Sequence, residues 1–175
     1  MDMAGEQRIA APRAMVWAAL NDPEILRECI PGCQSLERTG ENGFKATAVL
    51  AVGPVKATFN GNVTLSDIDA PNGYTISGEG TGGPAGFAKG HANVRLADDG
   101  DGTLLTYTVK ADIGGKLAQL GSRLIDSTAK KLAGDFFKTF GEVVAPHPIE
   151  TADDHPDKTR RKGLWTRLFG KKDAG

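Results

Sequence analysis

Apolar and polar residues alternate with a period of two along most of the middle of the chain. Five runs show this alternation, at residues 44–52, 55–65, 74–78, 88–96 and 105–113. A period of two is typical of β-strands with one face toward a core. Turn-forming pairs such as Asn42-Gly43 and Gly53-Pro54 separate consecutive runs, so neighbouring strands are expected to be antiparallel. With an extended segment around Ile9 and a strand at 34–38, the pattern predicts a seven-stranded meander.

Helical spacing marks one long segment, residues 115–144. Its apolar residues recur three, four or eight positions apart, at Leu120, Leu124, Leu132, Phe136, Phe140 and Val143. They therefore share one side of a predicted helix about 45 Å long, with Gly121 on the same side. Two short helices precede the meander, one from Pro12 to Leu20 and one capped by Asp22. The order of elements predicts an α+β fold in which the sheet curls around the long helix.

Small side chains dominate the predicted inner face of the sheet. The positions are Ala46, Ala48, Ala57, Gly61, Gly78, Gly80, Ala88, Gly90 and Ala92. Such residues are too short to reach a helix about 10 Å above a sheet, which predicts unfilled volume. Two alternatives stay open: the helix settles directly on these residues, or some strands present the other face. A cavity here would be apolar and suited to a lipophilic small molecule.

The mouth of such a cavity is predicted between the short helices and the glycine-rich hairpin around Gly82-Gly83. The candidate ligand-binding residues are Leu26, Ile30, Phe59, Phe87, Tyr107, Leu120 and Leu124. Gly78–Gly83 matches a dinucleotide-binding glycine pattern, but it lies between two strands and opens no helix.

The net charge, the cysteines and the histidines of the chain argue against several classes of function. A formal net charge of −1 gives no basic face for nucleic acid. Cys29 and Cys33 lack zinc-ligand spacing, so free thiols in a reducing compartment and no metal site are expected. His91 is the one histidine before residue 146, and no Ser or Cys is placed to use it as a base. No catalytic residue is therefore predicted, and the protein is not expected to be an enzyme.

The amino-acid composition of the chain changes after residue 145. Residues 146–157 are polar, acidic and interrupted by proline, which predicts a flexible linker after a domain at 1–145. Residues 158–175 are basic and are predicted to form an amphipathic helix at an anionic membrane surface; a solvated tail and an acidic partner are the alternatives. The predicted membrane-binding residues are Arg160, Arg161, Lys162, Leu164, Trp165, Arg167, Leu168, Phe169, Lys171 and Lys172.

Three separated motifs carry a family resemblance. They are Ala11-Pro12 through Val16-Trp17 to Ile30-Pro31-Gly32, the turn Val52-Gly53-Pro54-Val55, and the segment from Gly114-Gly115-Lys116-Leu117-Ala118 through Leu120–Ile125 to Phe136-Phe137. Together they resemble the carbon monoxide dehydrogenase G-subunit family. The resemblance implies the helix-grip fold of the START-like (SRPBCC) ligand-binding superfamily, in which a curved antiparallel sheet wraps a long C-terminal helix over a cavity.

The resemblance also implies a function. It suggests a non-catalytic accessory protein of an aerobic carbon monoxide dehydrogenase or related molybdenum hydroxylase. Such a protein would be cytoplasmic and peripheral on the cell membrane, with a respiratory quinone, menaquinone or ubiquinone, as its ligand and no covalent cofactor. The alternatives are a membrane scaffold or assembly factor that does not use the cavity, and a small cyclase or hydrolase on the same fold.

Overall fold

One antiparallel sheet of seven strands forms the main layer of the protein in a computed structural model, which describes residues 1–145. The strands are β1 (Asp2–Ile9), β2 (Cys33–Thr39), β3 (Gly43–Val52), β4 (Val55–Asp69), β5 (Gly73–Thr81), β6 (Phe87–Asp99) and β7 (Gly102–Gly114). Their order across the sheet is β1-β7-β6-β5-β4-β3-β2. Strands β2 to β7 therefore form a continuous meander, and β1 pairs with the last strand. The α+β prediction from alternating residues is confirmed.

Two short helices, α1 (Arg13–Leu20) and α2 (Pro23–Cys29), follow the first strand. The α2 helix begins where predicted because the Asp22 carboxylate accepts a hydrogen bond of 2.9 Å from the Glu24 amide. Pro23 occupies the first turn of α2. Backbone N–H groups in the first turn have no partner within the helix, so the N–H that proline lacks costs no helical hydrogen bond.

The long C-terminal helix is shorter than the spacing predicts. Residues Gly115–Leu120 form a 3₁₀ segment, and the α-helix α3 runs over Ser122–Val144, 23 residues or about 35 Å. Gly121 separates the two segments with φ of +93°, a conformation that favours glycine. The expected continuous helix over 115–144 is therefore wrong in its first turns, and Gly121 lies before α3 and not on its apolar side.

The turns of the meander gather at two opposite ends of the sheet. Arg13, the first residue of α1, donates a hydrogen bond to Asn72 in the β4–β5 turn. Its Nε also lies 3.1 Å from a carboxylate oxygen of Asp98 beside the β6–β7 turn. The start of α1 thus lies at this end of the sheet, whereas the loop after α2 reaches β3, where the Val49 amide donates a hydrogen bond of 2.9 Å to the Gly32 carbonyl. Because successive turns alternate, the β3–β4 turn at Gly53 and the β5–β6 turn at Gly82 lie at the other end.

The best-filled part of the core lies at the end of the sheet where α1 begins. Phe140 of α3 is 0% exposed and belongs to one cluster with Ile9, Val16, Leu105 and Val144. The C-terminal end of α3 is therefore anchored on β1, α1 and the sheet by apolar burial.

Among the described residues, the one buried polar side chain is that of Thr103. It is 0% exposed, and its hydroxyl donates a hydrogen bond of 2.7 Å to the carbonyl of Ala11. This bond joins the segment between β1 and α1 to the beginning of β7. Without it, the Ala11 carbonyl would be buried with an unsatisfied acceptor.

Thr103→Val is expected to lower the free energy of unfolding by about 1–3 kcal/mol, because the substitution keeps the shape but strands the Ala11 carbonyl. Urea denaturation followed by circular dichroism would measure the change. Thr106→Val, an exposed position on the same strand, serves as the control and is expected to stay within about 0.5 kcal/mol. Equal effects of the two substitutions would contradict a stabilising role for the Thr103 bond.

Candidate functional site

Side-chain size falls stepwise along the inner face of the sheet. The strand register places Tyr74, Val94 and Tyr107 side by side on β5, β6 and β7. The next level toward the β5–β6 turn contains Ile76, Ala92 and Val109. Beyond it lie glycines that face the same side, and we call Gly61, Gly78, Gly80 and Gly90 the glycine band. Large residues therefore lie nearer α1, and the smallest lie nearer the β5–β6 turn.

An apolar cavity of about 340 Å³ lies between the larger levels and the helices. Six of its lining residues come from the helices and the loop after α2: Leu20, Leu26, Ile30, Ala133, Phe136 and Phe137. The remaining lining side chains come from the strands and are aliphatic or aromatic. No carboxylate, imidazole, amine or thiol lines it among the described residues. Such a surface recognises ligands by shape and apolar contact.

Stacked aromatic rings hold the wall formed by α3. The Tyr107 ring stacks on Phe137 with centroids 5.5 Å apart, and Phe137 meets Phe136 edge-on at 5.1 Å. Phe136 in turn stacks on the buried Phe140 at 5.5 Å. Because Phe140 is fixed in the core, this chain of contacts gives the cavity a rigid aromatic side.

Tyr74 and Tyr107 carry the polar atoms that the lining side chains offer. Tyr74 is 5% exposed and its ring lies 5.1 Å from that of Trp17 in α1. Burial raises the pKa of the Tyr74 hydroxyl above its ordinary value, so this hydroxyl stays protonated at neutral pH. The Tyr107 hydroxyl extends over the edge strand, where a Cβ on Gly5 would lie 2.6 Å from it.

Two glycines of the band, Gly61 and Gly80, have open space on the inner face of the sheet. A Cβ built on Gly80 would have two atoms within 4 Å, the Asn60 oxygen at 3.6 Å and the Gly61 Cα at 3.8 Å. A Cβ on Gly61 would likewise meet backbone atoms of β5, at 3.3 and 3.8 Å. Since no atom of α3 approaches either position, the helix does not settle on these glycines. The expectation of unfilled volume over small residues agrees with this arrangement.

The candidate ligand-binding residues divide into two groups. Leu26, Ile30 and Tyr107 line the cavity. The other four, Phe59, Phe87, Leu120 and Leu124, do not line it. The start of α1 lies at the end of the sheet away from the hairpin, but the loop after α2 lies beside Val49, toward the β3–β4 turn. The single mouth between the short helices and the glycine-rich hairpin therefore stays a prediction.

The second group gathers around the β3–β4 and β5–β6 turns and the start of α3. Phe59 covers the backbone of Gly82, and Leu124 covers the turn at Gly53, each within 2.6 Å of the position a glycine Cβ would take. Phe87 is 45% exposed, and Leu120 is half-buried just before α3.

The predicted set misses three aromatic residues that line the cavity: Tyr74, Phe136 and Phe137. The sequence carries a signal for two of them, since Tyr74 alternates with the inner-face residues of its strand and Phe136 belongs to the apolar stripe of the long helix.

The remaining reactive groups lie outside the cavity. Cys29 is 2% exposed, and burial raises the pKa of its thiol to about 12, so it is a neutral thiol at pH 7. Cys33 is half-buried and unbonded to it, and its Sγ donates to the Ser35 carbonyl at 3.4 Å. His91 is exposed on the outer face of the sheet, opposite Ser77 and Lys110. Within residues 1–145, no group of three or more His, Cys, Asp or Glu side chains is placed to hold a metal ion.

The predicted linker and membrane-binding tail, residues 146–157 and 158–175, lie outside the described residues. Over residues 1–145, none of the helices has both the length and the hydropathy needed to cross a bilayer.

Substitutions on β6 can measure the open volume. Ala92→Leu is expected to change the free energy of unfolding by less than about 1 kcal/mol, because the added carbons enter the cavity. Gly90→Ala, two residues away, is expected to cost about 1–3 kcal/mol, since its Cβ would collide with the Lys110 carbonyl and lie 2.7 Å from the Ala111 Cα. Thermal and urea unfolding of both variants would provide the comparison. Similar losses in both would show that the cavity cannot accept added atoms.

Comparison with known proteins is consistent with this architecture. A crystal structure of a conserved protein from Geobacillus kaustophilus has 35% sequence identity and a TM-score of 0.78, covering 82% of this chain and 95% of that one. A START superfamily protein from Mycobacterium smegmatis has 12% identity and a TM-score of 0.61, covering 82% and 96%. The ZhuI aromatase/cyclase from Streptomyces sp. R1128 has 13% identity and a TM-score of 0.59, covering 81% and 91%. The last two similarities show the fold alone, which is the START-like helix-grip fold.

No curated protein sequence matches this chain. The family model for the G subunit of carbon monoxide dehydrogenase (CoxG) matches residues 5–145, which cover every strand and helix described above except the first three residues of β1. The match confirms the resemblance carried by the three motifs, and the chain belongs to the carbon monoxide dehydrogenase G-subunit (CoxG) family.

Proposed function

We propose that this protein binds a respiratory quinone in its apolar cavity and links a molybdenum hydroxylase to the cytoplasmic membrane and its electron-transport chain. The partner enzyme is an aerobic carbon monoxide dehydrogenase or a relative, as the family name suggests. The observation that carries the proposal is the apolar cavity of about 340 Å³ between α2, α3 and the sheet. The volume lies within the range of about 300–1,000 Å³ typical of small-molecule pockets.

The lining favours a neutral ring with an apolar chain over a charged metabolite. A charged ligand would lose its hydration in this cavity and find no opposite charge among the lining residues. A quinone head is flat and uncharged, and the rings of Tyr107, Phe136 and Phe137 offer surfaces on which a flat ring can stack. The cavity residue Ala46 is paired with Gly61, so a chain leaving the cavity at Ala46 would next meet a position without a side chain. A prenyl chain could follow this path.

A role without catalysis is favoured by the same lining. General acid-base catalysis requires a group that exchanges protons near neutral pH, and within residues 1–145 the ionisable groups of the lining are two tyrosines. Burial raises the pKa of Tyr74 further from neutrality. We therefore propose that the protein carries its ligand between the enzyme and the membrane and leaves it chemically unchanged.

Membrane attachment is assigned in this proposal to residues 158–175. Leu164, Trp165, Leu168 and Phe169 would share one face of a short helix, with basic residues on both sides. Attraction between these bases and anionic lipid would add to apolar insertion of the Trp and Phe rings. A single short helix of this type would bind reversibly, which suits a carrier that moves between enzyme and membrane.

Extraction of the purified protein with organic solvent, followed by mass spectrometry, tests the ligand. A quinone is expected at a ratio well above that in Ala92→Trp, a variant whose indole would occupy the cavity. The fold of the variant would be checked by circular dichroism. Equal amounts of quinone in both proteins, or none in either after incubation with menaquinone and ubiquinone, would argue against the carrier and leave the scaffold alternative.

Sedimentation with vesicles tests the membrane role. The full chain is expected to sediment with vesicles of phosphatidylglycerol and phosphatidylcholine at low salt and to be released as ionic strength rises. A chain ending at residue 157 should remain in the supernatant while still binding quinone. A matched control replaces Trp165 and Phe169 with Ala and keeps the charges, which separates apolar insertion from electrostatic attraction. Retention of the enzyme partner by this tail, with no vesicle binding at low salt, would make it a protein-docking peptide.

A further inference from the structure

One end of the sheet carries apolar residues and bases but no acidic residue. We call this end the basic tip, and it consists of the β3–β4 turn (residues 52–56), the β5–β6 turn (81–87) and the chain from the end of β7 to the start of α3 (114–124). These three segments contain no Asp or Glu. Their charged residues are Lys56, Lys116 and Arg123, and most of the others are glycine, proline, aliphatic or aromatic.

The three segments of the basic tip lie side by side. Leu124 covers the β3–β4 turn, where a Cβ on Gly53 would lie 2.6 Å from its side chain. In the β5–β6 turn, a Cβ on Gly86 would collide with the carbonyl of Gly114. Because Gly114 and Leu124 belong to the same segment, the two turns and the start of α3 form one continuous surface.

Both the apolar and the basic side chains of this surface are accessible. Phe87 is 45% exposed and is one of two large apolar residues that are exposed within residues 1–145. Lys56, Lys116 and Arg123 are exposed, and none of them forms an ion pair with a carboxylate of residues 1–145. An exposed aromatic ring surrounded by free bases is typical of surfaces that bind anionic bilayers.

The opposite end of the sheet has the reverse charge. Its three turns carry Glu41, Asp67, Asp69, Asp98, Asp99 and Asp101. Three arginines beside these turns are held by ion pairs, such as Arg8 with Asp99 at 2.9 Å. Ile68, the other large exposed apolar residue, lies between Asp67 and Asp69. A negatively charged surface would therefore attract the basic tip and repel the acidic end.

A bilayer fits the basic tip better than a partner protein does. The amides of the β5–β6 turn are paired within the turn, since Gly82 donates to the Gly86 carbonyl at 2.8 Å and Gly86 donates to the Gly83 carbonyl at 3.1 Å. Recognition of a protein surface uses directional hydrogen bonds and a matching shape. Insertion of apolar groups and attraction to phosphate need neither.

We propose that the basic tip is a second membrane contact, at which Phe87 enters the headgroup region of an anionic bilayer and the three bases lie against lipid phosphates. The contact rests on the proposed function, because the tail at residues 158–175 supplies the main attachment. Three bases and one exposed ring bind a surface weakly by themselves. Once the tail holds the chain at the membrane, the basic tip acts at high local concentration and orients the folded domain with its acidic end outward.

The length of the chain allows the tail and the basic tip to reach the same surface. The tail follows the C-terminal end of α3, whereas the basic tip lies at the start of this helix, about 35 Å away. Residues 146–157 lie between α3 and the tail. Twelve residues span up to roughly 40 Å when extended, which exceeds the length of the helix.

A fluorophore at position 87 tests the contact. Phe87→Cys and Ile68→Cys would each be made in the full chain with Cys33→Ser, because Cys29 is buried and Cys33 is the more accessible thiol. Both proteins would be labelled with the environment-sensitive dye NBD and mixed with vesicles of phosphatidylglycerol and phosphatidylcholine at low salt. Positions 87 and 68 are equally exposed, so the second label is a matched control.

The NBD emission at position 87 is expected to shift to shorter wavelength and to brighten on the vesicles, and the emission at position 68 is expected to stay unchanged. Equal changes at both positions would overturn the proposed orientation. No change at position 87, while the labelled chain still sediments with the vesicles, would overturn the contact itself.

Charge reversal tests the bases of the basic tip. Lys116→Glu with Arg123→Glu, in the full chain, is expected to weaken partition to the same vesicles by about threefold to tenfold, since lipid attraction to the basic tip is lost. Lys45→Glu with Lys138→Glu lowers the net charge equally at exposed positions outside the basic tip, and it is expected to change partition by less than about twofold. Equal effects of the two pairs would contradict a specific contact.

The outcomes separate the basic tip from the tail. If the full chain sediments but neither the label nor charge reversal distinguishes the basic tip, the second contact is wrong and the membrane role of the tail stands. If the label at position 87 responds to the partner enzyme and not to vesicles, the basic tip docks on protein and the membrane contact is wrong. If the full chain does not sediment and the label does not respond, both proposals fail.

Discussion

The distance between α3 and the sheet is the constraint on which this structure depends. A helix over a sheet lies about 10 Å above it, and only long side chains can fill that gap. At the C-terminal end of α3, Phe140 and Val144 meet Leu105 and Ile9 and fill it completely. At Gly61 and Gly80, by contrast, no side chain rises from the sheet, and no atom of α3 lies within 4 Å of the place a Cβ would take. Stability and open space are therefore placed at different ends of the same helix, so the site does not weaken the core that supports it.

The same arrangement separates the chemistry of the two sheet faces. The outer face carries charged and hydroxyl side chains at alternate positions, including His91 and Lys110, which remain in water. The inner face offers hydrocarbon, aromatic rings and tyrosine hydroxyls. Recognition inside the cavity therefore depends on shape, stacking and hydrogen bonding, and changes of salt or of pH near neutrality have little to act on there.

The sequence predicts the fold well because alternation and turn pairs are local signals. It also identifies the correct inner face: Ala46, Gly61 and Gly80 are small, and the register brings them together. Periodicity gives the face but not the level along the strand, which depends on register and on alternating turns. It therefore groups Phe59 and Leu124, which cover the turns at Gly82 and Gly53, with Leu26, which lines the cavity. Periodicity also misses the break at Gly121, because a 3₁₀ segment repeats every three residues, a spacing that fits an α-helix as well.

Pairing between the first and last strands has a consequence for how the chain folds. Met3 pairs with Val109, and the bond from Thr103 to Ala11 spans 92 residues. During synthesis the meander from β2 to β6 can form in order from neighbouring hairpins, but β1 has no partner until β7 is made. Closing such a long loop costs more entropy than closing a hairpin, and topologies rich in distant contacts fold slowly. The β1 strand cannot join the sheet before β7 is made, and until the two pair, the edge of β7 is open to pairing with other chains.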